Sequence, residues 1–185
     1  MTVTLLSLAI AATVWLNSYQ PMRTGNGGLY VDPAHSVKVG DFSPPTGDTF
    51  AQYDVTYADQ ATFRFGFTIS NSGRIPITIE SVRPPWCASC VFPMEYVGTE
   101  VGPVVGPTKY LPRDATPFAP FSLGPAEDRF VVITARFDHC QDLGPNSIAG
   151  FNHVVVRYRT GWTEQTTDLP LPYTLDVARE SACPA

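Results

Sequence analysis

The sequence predicts an all-β protein: an antiparallel β-sandwich preceded by a short N-terminal hydrophobic helix. Three observations carry the prediction. The apolar residues are mainly Val, Ile, Phe and Tyr, β-branched and aromatic types that suit a pleated, half-buried surface. About seven runs of alternating apolar and polar residues recur at sandwich spacing, separated by Gly, Pro and Asn clusters. No segment beyond the N-terminal block sustains helical periodicity for three turns, so strands do not alternate with helices.

Length and charge set the outer bounds. Of 185 residues, roughly 150 remain once the N-terminal block is set aside, enough to bury about two thirds of the unfolded chain's surface. Charged residues make up 16%, the net charge is −5, and the 12 basic residues are scattered from Arg23 to Arg179 without a run. Such a surface offers no track for a phosphate backbone, so no nucleic-acid partner is expected.

Residues 1–24 are read as an N-terminal anchor or signal segment. Val3 to Leu16 (VTLLSLAIAATVWL) carries no charge and leads into Asn17, Tyr19 and Pro21, with aromatic groups suited to a membrane interface. The block is shorter than the ~20 residues a spanning helix needs. It lacks the basic n-region of a secretory signal, and only Ala9 and Ala11 resemble a cleavage site. It reads as a signal-anchor or signal core whose start lies upstream; a buried helix and a first core strand are the alternatives. No cysteine follows it to carry a lipid. The membrane reading makes the chain a single-pass protein of the cell membrane, with its domain on the extracytoplasmic side.

Residues 25–48 are expected to be a linker and first strand, and 49–185 the sandwich domain. TGNGG (24–28) reads as flexible, Val37, Val39 and Phe42 as a strand, and SPPTGD (43–48) as a turn cluster. Thr62 to Ser70 (TFRFGFTIS) is the strongest strand, with Phe63, Phe65, Phe67 and Ile69 on one face. NSGR (71–74) supplies residues tolerant of positive φ, and alternation resumes at Ile75, Ile77 and Ile79, which predicts a hairpin. Pro76 cannot donate to a ladder and places that strand at an edge or bulge.

Pro84 to Asp128 holds most of the punctuation, with a short strand at Met94 to Val97. A loop this long in a compact domain signals either function or an unseen strand. Beyond it, Arg129 to Phe137 and Asn152 to Arg159 read as strands. TGWT (160–163) then turns the chain into strands at Glu164 to Leu171 and Tyr173 to Val177.

Two quoted stretches carry a resemblance. TFRFGFTISNSGRIPITIESV, followed by PFSLGPAEDRFVVITARF, resembles the immunoglobulin-like extracytoplasmic domains of bacterial envelope proteins. There a strand, an N-x-G turn and a P-I-T-I strand precede an L-x-P-x-E turn into a long apolar strand. VVVRYRTGWTEQTTDLPLP is similar to their final hairpin, so the likeness spans about Thr62 to Val177. It implies an immunoglobulin-like β-sandwich and an adhesion, scaffold or accessory role, and it transfers no catalytic residue.

The cysteines are the residues most suggestive of chemistry. PPWCASC places Cys87 and Cys90 in a Cys-x-x-Cys pair, with Cys140 and Cys183 elsewhere. A redox dithiol needs a helix after its first Cys, whereas VFPMEY does not start one. Zinc would draw on Cys87, Cys90, His139 and Cys140, but adjacent His139 and Cys140 on a strand point to opposite faces. Structural disulfides fit an oxidising compartment and the even count. Cys87 with Cys90 and Cys140 with Cys183 is the favoured pairing, and crossed bonds such as Cys87 to Cys183 stay open. Trp86 and Trp162 are candidate contact residues or loop plugs.

No catalytic, cofactor or metal site is assigned. The functional expectation is a membrane-tethered extracytoplasmic module, structural or protein-binding, with a protein partner in the cell envelope. The alternative is a metal-handling or thiol-redox envelope protein using Cys87 and Cys90.

Overall fold

The computed structural model describes residues 2–42, 50–86, 92–104, 111–138 and 148–178. A helix, α1 (Thr2–Ser18), precedes β1 (Met22–Val31), β2 (Ser36–Phe42), β3 (Phe50–Thr56), β4 (Thr62–Asn71), β5 (Ile77–Arg83) and β6 (Met94–Gly102). Then follow β7 (Thr116–Pro117), β8 (Phe121–Leu123), β9 (Asp128–Phe137), β10 (Ile148–Thr160) and β11 (Thr163–Ala178). The long central segment does hold unseen strands, β7 and β8, and β6 runs past the predicted Val97.

Two sheets result, ordered β1-β4-β9-β6-β7 and β2-β3-β11-β10-β5-β8. The run β1-β4-β9-β6 facing β11-β10-β5 is the A-B-E-D and G-F-C arrangement of an immunoglobulin-like sandwich. Among the described residues every strand pair is antiparallel except β3 with β11, which run parallel from Ala51↔Tyr173 to Thr56↔Ala178, while β3 pairs antiparallel with β2 on its other edge. Phe63, Phe65, Phe67 and Ile69 of β4 are fully buried against Val154, Val156 and Tyr158 of β10 and Tyr173, Leu175 and Val177 of β11. Each such side chain contributes about 1.5 to 3 kcal/mol on burial, so the alternation of β4 fixes which face turns inward.

Three expectations are corrected. First, Thr62–Asn71 and Ile77–Arg83 do not form a hairpin. β4 is bonded on both edges, to β1 and β9, and has no edge left for β5, which pairs with β10 and β8 in the other sheet. None of residues 71–74 adopts positive φ. Instead Asn71 Oδ1 accepts from Gly73 N at 2.9 Å, an Asx turn that arches the chain between sheets. Second, Pro76 precedes β5 rather than lying within an edge strand, so its missing N–H costs no ladder bond.

Third, TGNGG is strand rather than linker. β1 pairs with β4 from Met22↔Asn71 to Val31↔Phe65, with a register shift between Thr24 and Leu29. The glycines make that bulge and let β1 approach closely: Gly28 holds φ +115°, and a Cβ on Gly27 would meet Val104 Cγ1 at 2.5 Å.

The two turn motifs behind the family resemblance meet in space. Asn71 Nδ2 donates to Ile75 O (2.9 Å) and Leu123 O (3.0 Å). Its backbone N–H donates to Glu127 O at 3.1 Å, and its carbonyl accepts from Ala126 N at 2.8 Å. The N-x-G and L-x-P-x-E turns are thus one hydrogen-bonded unit. Glu127 closes it by accepting from Gly124 N at 2.7 Å, and that N–H, with Arg129 beside it, holds the Glu127 carboxyl below its ordinary range.

Candidate functional site

The end of the sandwich where α1 arrives is built by three chain segments. α1 stops after Ser18, whose hydroxyl donates to Trp15 O at 2.9 Å, and Pro21 prevents its continuation. Leu16 is buried, and its carbonyl accepts from Gln165 Nε2 at 2.5 Å. The Tyr158 hydroxyl lies 3.2 Å from Tyr19 O and 2.8 Å from Gln165 Oε1. Burial raises the Tyr158 pKa, so the hydroxyl stays a donor. Tyr19 Oη accepts from Arg74 N at 2.6 Å, and Pro21 O accepts from Ser72 N at 2.9 Å. The helix end is therefore wired to the β10–β11 hairpin and to the arch after β4.

That hairpin ends in a two-residue turn. Gly161 holds φ +58° while Trp162 does not, which is a type II′ turn with glycine first. The geometry demands Gly161 and makes no demand on its neighbour, yet Trp162 stands there 70% exposed. A Cβ on Gly161 would lie 3.8 Å from Leu16 Cδ1, so the tip abuts the helix end. On α1, Ile10, Val14 and Trp15 are 57%, 62% and 53% exposed, and the Trp15 and Tyr19 rings lie 5.0 Å apart.

Trp86, the other candidate contact residue, sits at the opposite end and packs inward. Its ring stacks on Phe92 at 4.5 Å and meets Phe151 edge-on at 5.1 Å; Phe151 in turn lies 5.3 Å from Phe65. It is a plug on the core, and the two tryptophans part company. Cys87, Cys90, Cys140, Cys183 and His139 lie outside the described residues. The strand ends that border them, at Arg83, Met94, Phe137, Ile148 and Ala178, gather at the Trp86 end. Among the described residues no group of three or more His, Cys, Asp or Glu is placed to hold a metal.

A cleft of about 530 Å³ runs where the open edges of the two sheets meet, lined by Met22, Arg23, Thr24, Asp168 and Leu169. The tight turn makes Thr160 and Thr163 a hydrogen-bonded pair, so Glu164, Thr166, Asp168 and Pro170 present their backbone groups outward. Pro170 has no N–H to present, and its carbonyl accepts from the Thr24 hydroxyl of β1. Proline and this inter-sheet bond blunt an edge that would otherwise invite strand pairing. Charged groups on the sheet faces are largely cross-strand pairs, such as Arg136 with Glu95 and Arg159 with Glu80 at 3.3 Å.

No protein-family model matches the chain, and no curated protein matches it in sequence. Among solved structures it is similar to the ASH / PapD-like domain of human CEP192 (PapD-like domain 7), at 10% identity and a TM-score of 0.31. The match covers 70% of this chain and 82% of that one. A likeness that distant carries no argument about this chain. No helix among the described residues is long and apolar enough to cross a membrane.

Proposed function

We propose that the chain is a membrane-tethered extracytoplasmic module, structural or protein-binding and without catalytic activity. In this reading α1 holds it at a bilayer, and the sandwich presents its surface to a partner in the cell envelope. The observation that carries the reading is α1 itself. The helix has no polar face, and a helix apolar all round is ordinarily covered all round. Yet α1 rests on the sandwich by its last turn, leaving Ile10, Val14 and Trp15 exposed. A groove on a protein covers one side of a helix; a bilayer covers every side. Its 17 residues span about 25 Å at 1.5 Å per residue, slightly less than the ~30 Å hydrocarbon core.

The full chain should sediment with membranes, stay there through high salt and alkaline carbonate, and leave on detergent. Release by carbonate alone would overturn the anchoring. In intact cells an external protease should reach the sandwich domain. Complete protection until lysis would overturn the extracytoplasmic placement.

A further inference from the structure

We infer that the tip of the β10–β11 hairpin is a second membrane contact. Trp162 rests at headgroup level beside the C-terminal end of α1, so the sandwich stands on the bilayer in one orientation with the Trp86 end outward. The inference rests on the reading of α1 as bilayer-bound and adds a residue of the folded domain to that contact.

The fold does not account for Trp162. It is the most exposed large apolar side chain among the described residues, at 70%, and the type II′ turn requires glycine before it but no aromatic at its own position. Its place is not free to drift. Gln165 holds Leu16 O, the Tyr158 hydroxyl lies against Tyr19 O, and a Cβ on Gly161 would touch Leu16, so the tip is bonded to and packed beside the helix end. Whatever medium covers the last turns of α1 reaches Trp162.

The rings of Trp15 and Tyr19 mark the depth, because the helix runs without a charge up to them and the first charged residue after them is Arg23. Amphipathic rings with an N–H or O–H at one edge collect where hydrocarbon meets headgroups. Trp162 adds a third ring to that level. Arg74, exposed on the arch whose backbone N–H holds Tyr19 Oη, lies at the same end.

The chain's 3 tryptophans allow a direct test. The full-length protein and its Trp162→Phe variant are bound to phosphatidylcholine vesicles carrying bromine either near the headgroups or deep in the acyl chains. The difference in their emission reports Trp162 alone, and the exposed position predicts unchanged folding of the variant. Expected are a blue shift of that difference emission on vesicle binding and quenching by shallow bromine more than by deep. If the protein floats with vesicles while the Trp162 emission stays that of an indole in water, the inference is overturned and the anchoring by α1 stands. A blue shift that bromine leaves untouched, the mark of a protein pocket, also overturns it. If the protein does not float at all, the reading of α1 falls and the inference with it.

Discussion

Replacing Asn71 should damage the fold more than any other polar substitution at the arch. Its side chain is fully buried and makes three hydrogen bonds: Nδ2 to Ile75 O and Leu123 O, and Oδ1 from Gly73 N. At a net ~1 kcal/mol each, with an added penalty of about 1 kcal/mol for leaving Leu123 O buried and unpaired, Asn71→Ala should cost roughly 3 to 4 kcal/mol. For a domain of this size that lowers the melting temperature by roughly 6 to 16 °C. Urea melts with an unchanged m-value are the assay. Asn71→Asp sharpens it. The carboxylate keeps the bond from Gly73 N but sets an oxygen against two carbonyl oxygens, so its loss at neutral pH should equal or exceed that of Asn71→Ala. Protonation restores one donor, so the Asp variant should regain part of the loss on acidification. A cost below about 1 kcal/mol for Asn71→Ala, or a neutral-pH Asp variant as stable as the parent, would refute the account of the arch.

Phe65→Ala should cost about 3 to 5 kcal/mol. Trp86→Ala should cost less, no more than the low end of that range at about 3 kcal/mol, because its ring is partly exposed although it loses two aromatic partners; a larger loss at Trp86 than at Phe65 in thermal melts would contradict that ranking. Tyr173 is fully buried, donates to Gly66 O at 3.1 Å, and has its pKa pushed well above 10.0 by burial. The unfolded phenol ionises near pH 10 while the folded one keeps its proton, so this group's stability is intact below that pH and is lost as pH rises through it. Tyr173→Phe should soften alkaline unfolding, and an unchanged alkaline limb would argue against it. Peptide mapping without reduction is expected to join Cys87 to Cys90 and Cys140 to Cys183. Free thiols at Cys87 and Cys90, or zinc or copper released on acidification, would favour the redox or metal role instead.

Local pattern was enough for β4, because the period-2 alternation of apolar residues is written into TFRFGFTIS itself, although Gly66 and Thr68 on the other face are buried as well. The same pattern could not reveal where β5 goes. Turn residues look alike in a hairpin and an arch, and the outcome turns on competition for the edges of β4 by β1 and β9, strands far away in sequence. The Gly-rich stretch of β1 escapes a local reading for a related reason: glycine signals flexibility in isolation but close approach once Val104 and Thr68 are in place. Of the candidate residues, Trp162 carried a readable signal, since the residue after glycine in a two-residue hairpin points away from the core. The seating of α1 did not, because Gln165 and Tyr158 lie 149 and 139 residues from the groups they hold.

The bulged β1 ladder has a mechanical consequence. β1 leaves the helix end and runs along β4 from Met22 to Val31, antiparallel and bonded at both extremities. Under the proposed anchoring by α1, a pull between the bilayer and the far end of the molecule would act along those strands, loading the hydrogen bonds of the ladder together in shear rather than peeling them singly. Gln165 and Ser72, bonded to Leu16 O and Pro21 O, would divert part of that tension into the hairpin and the arch before it reached the ladder. A domain tethered through α1 as proposed would resist rotation about that tether and pass force directly from whatever grips its outer end to the membrane.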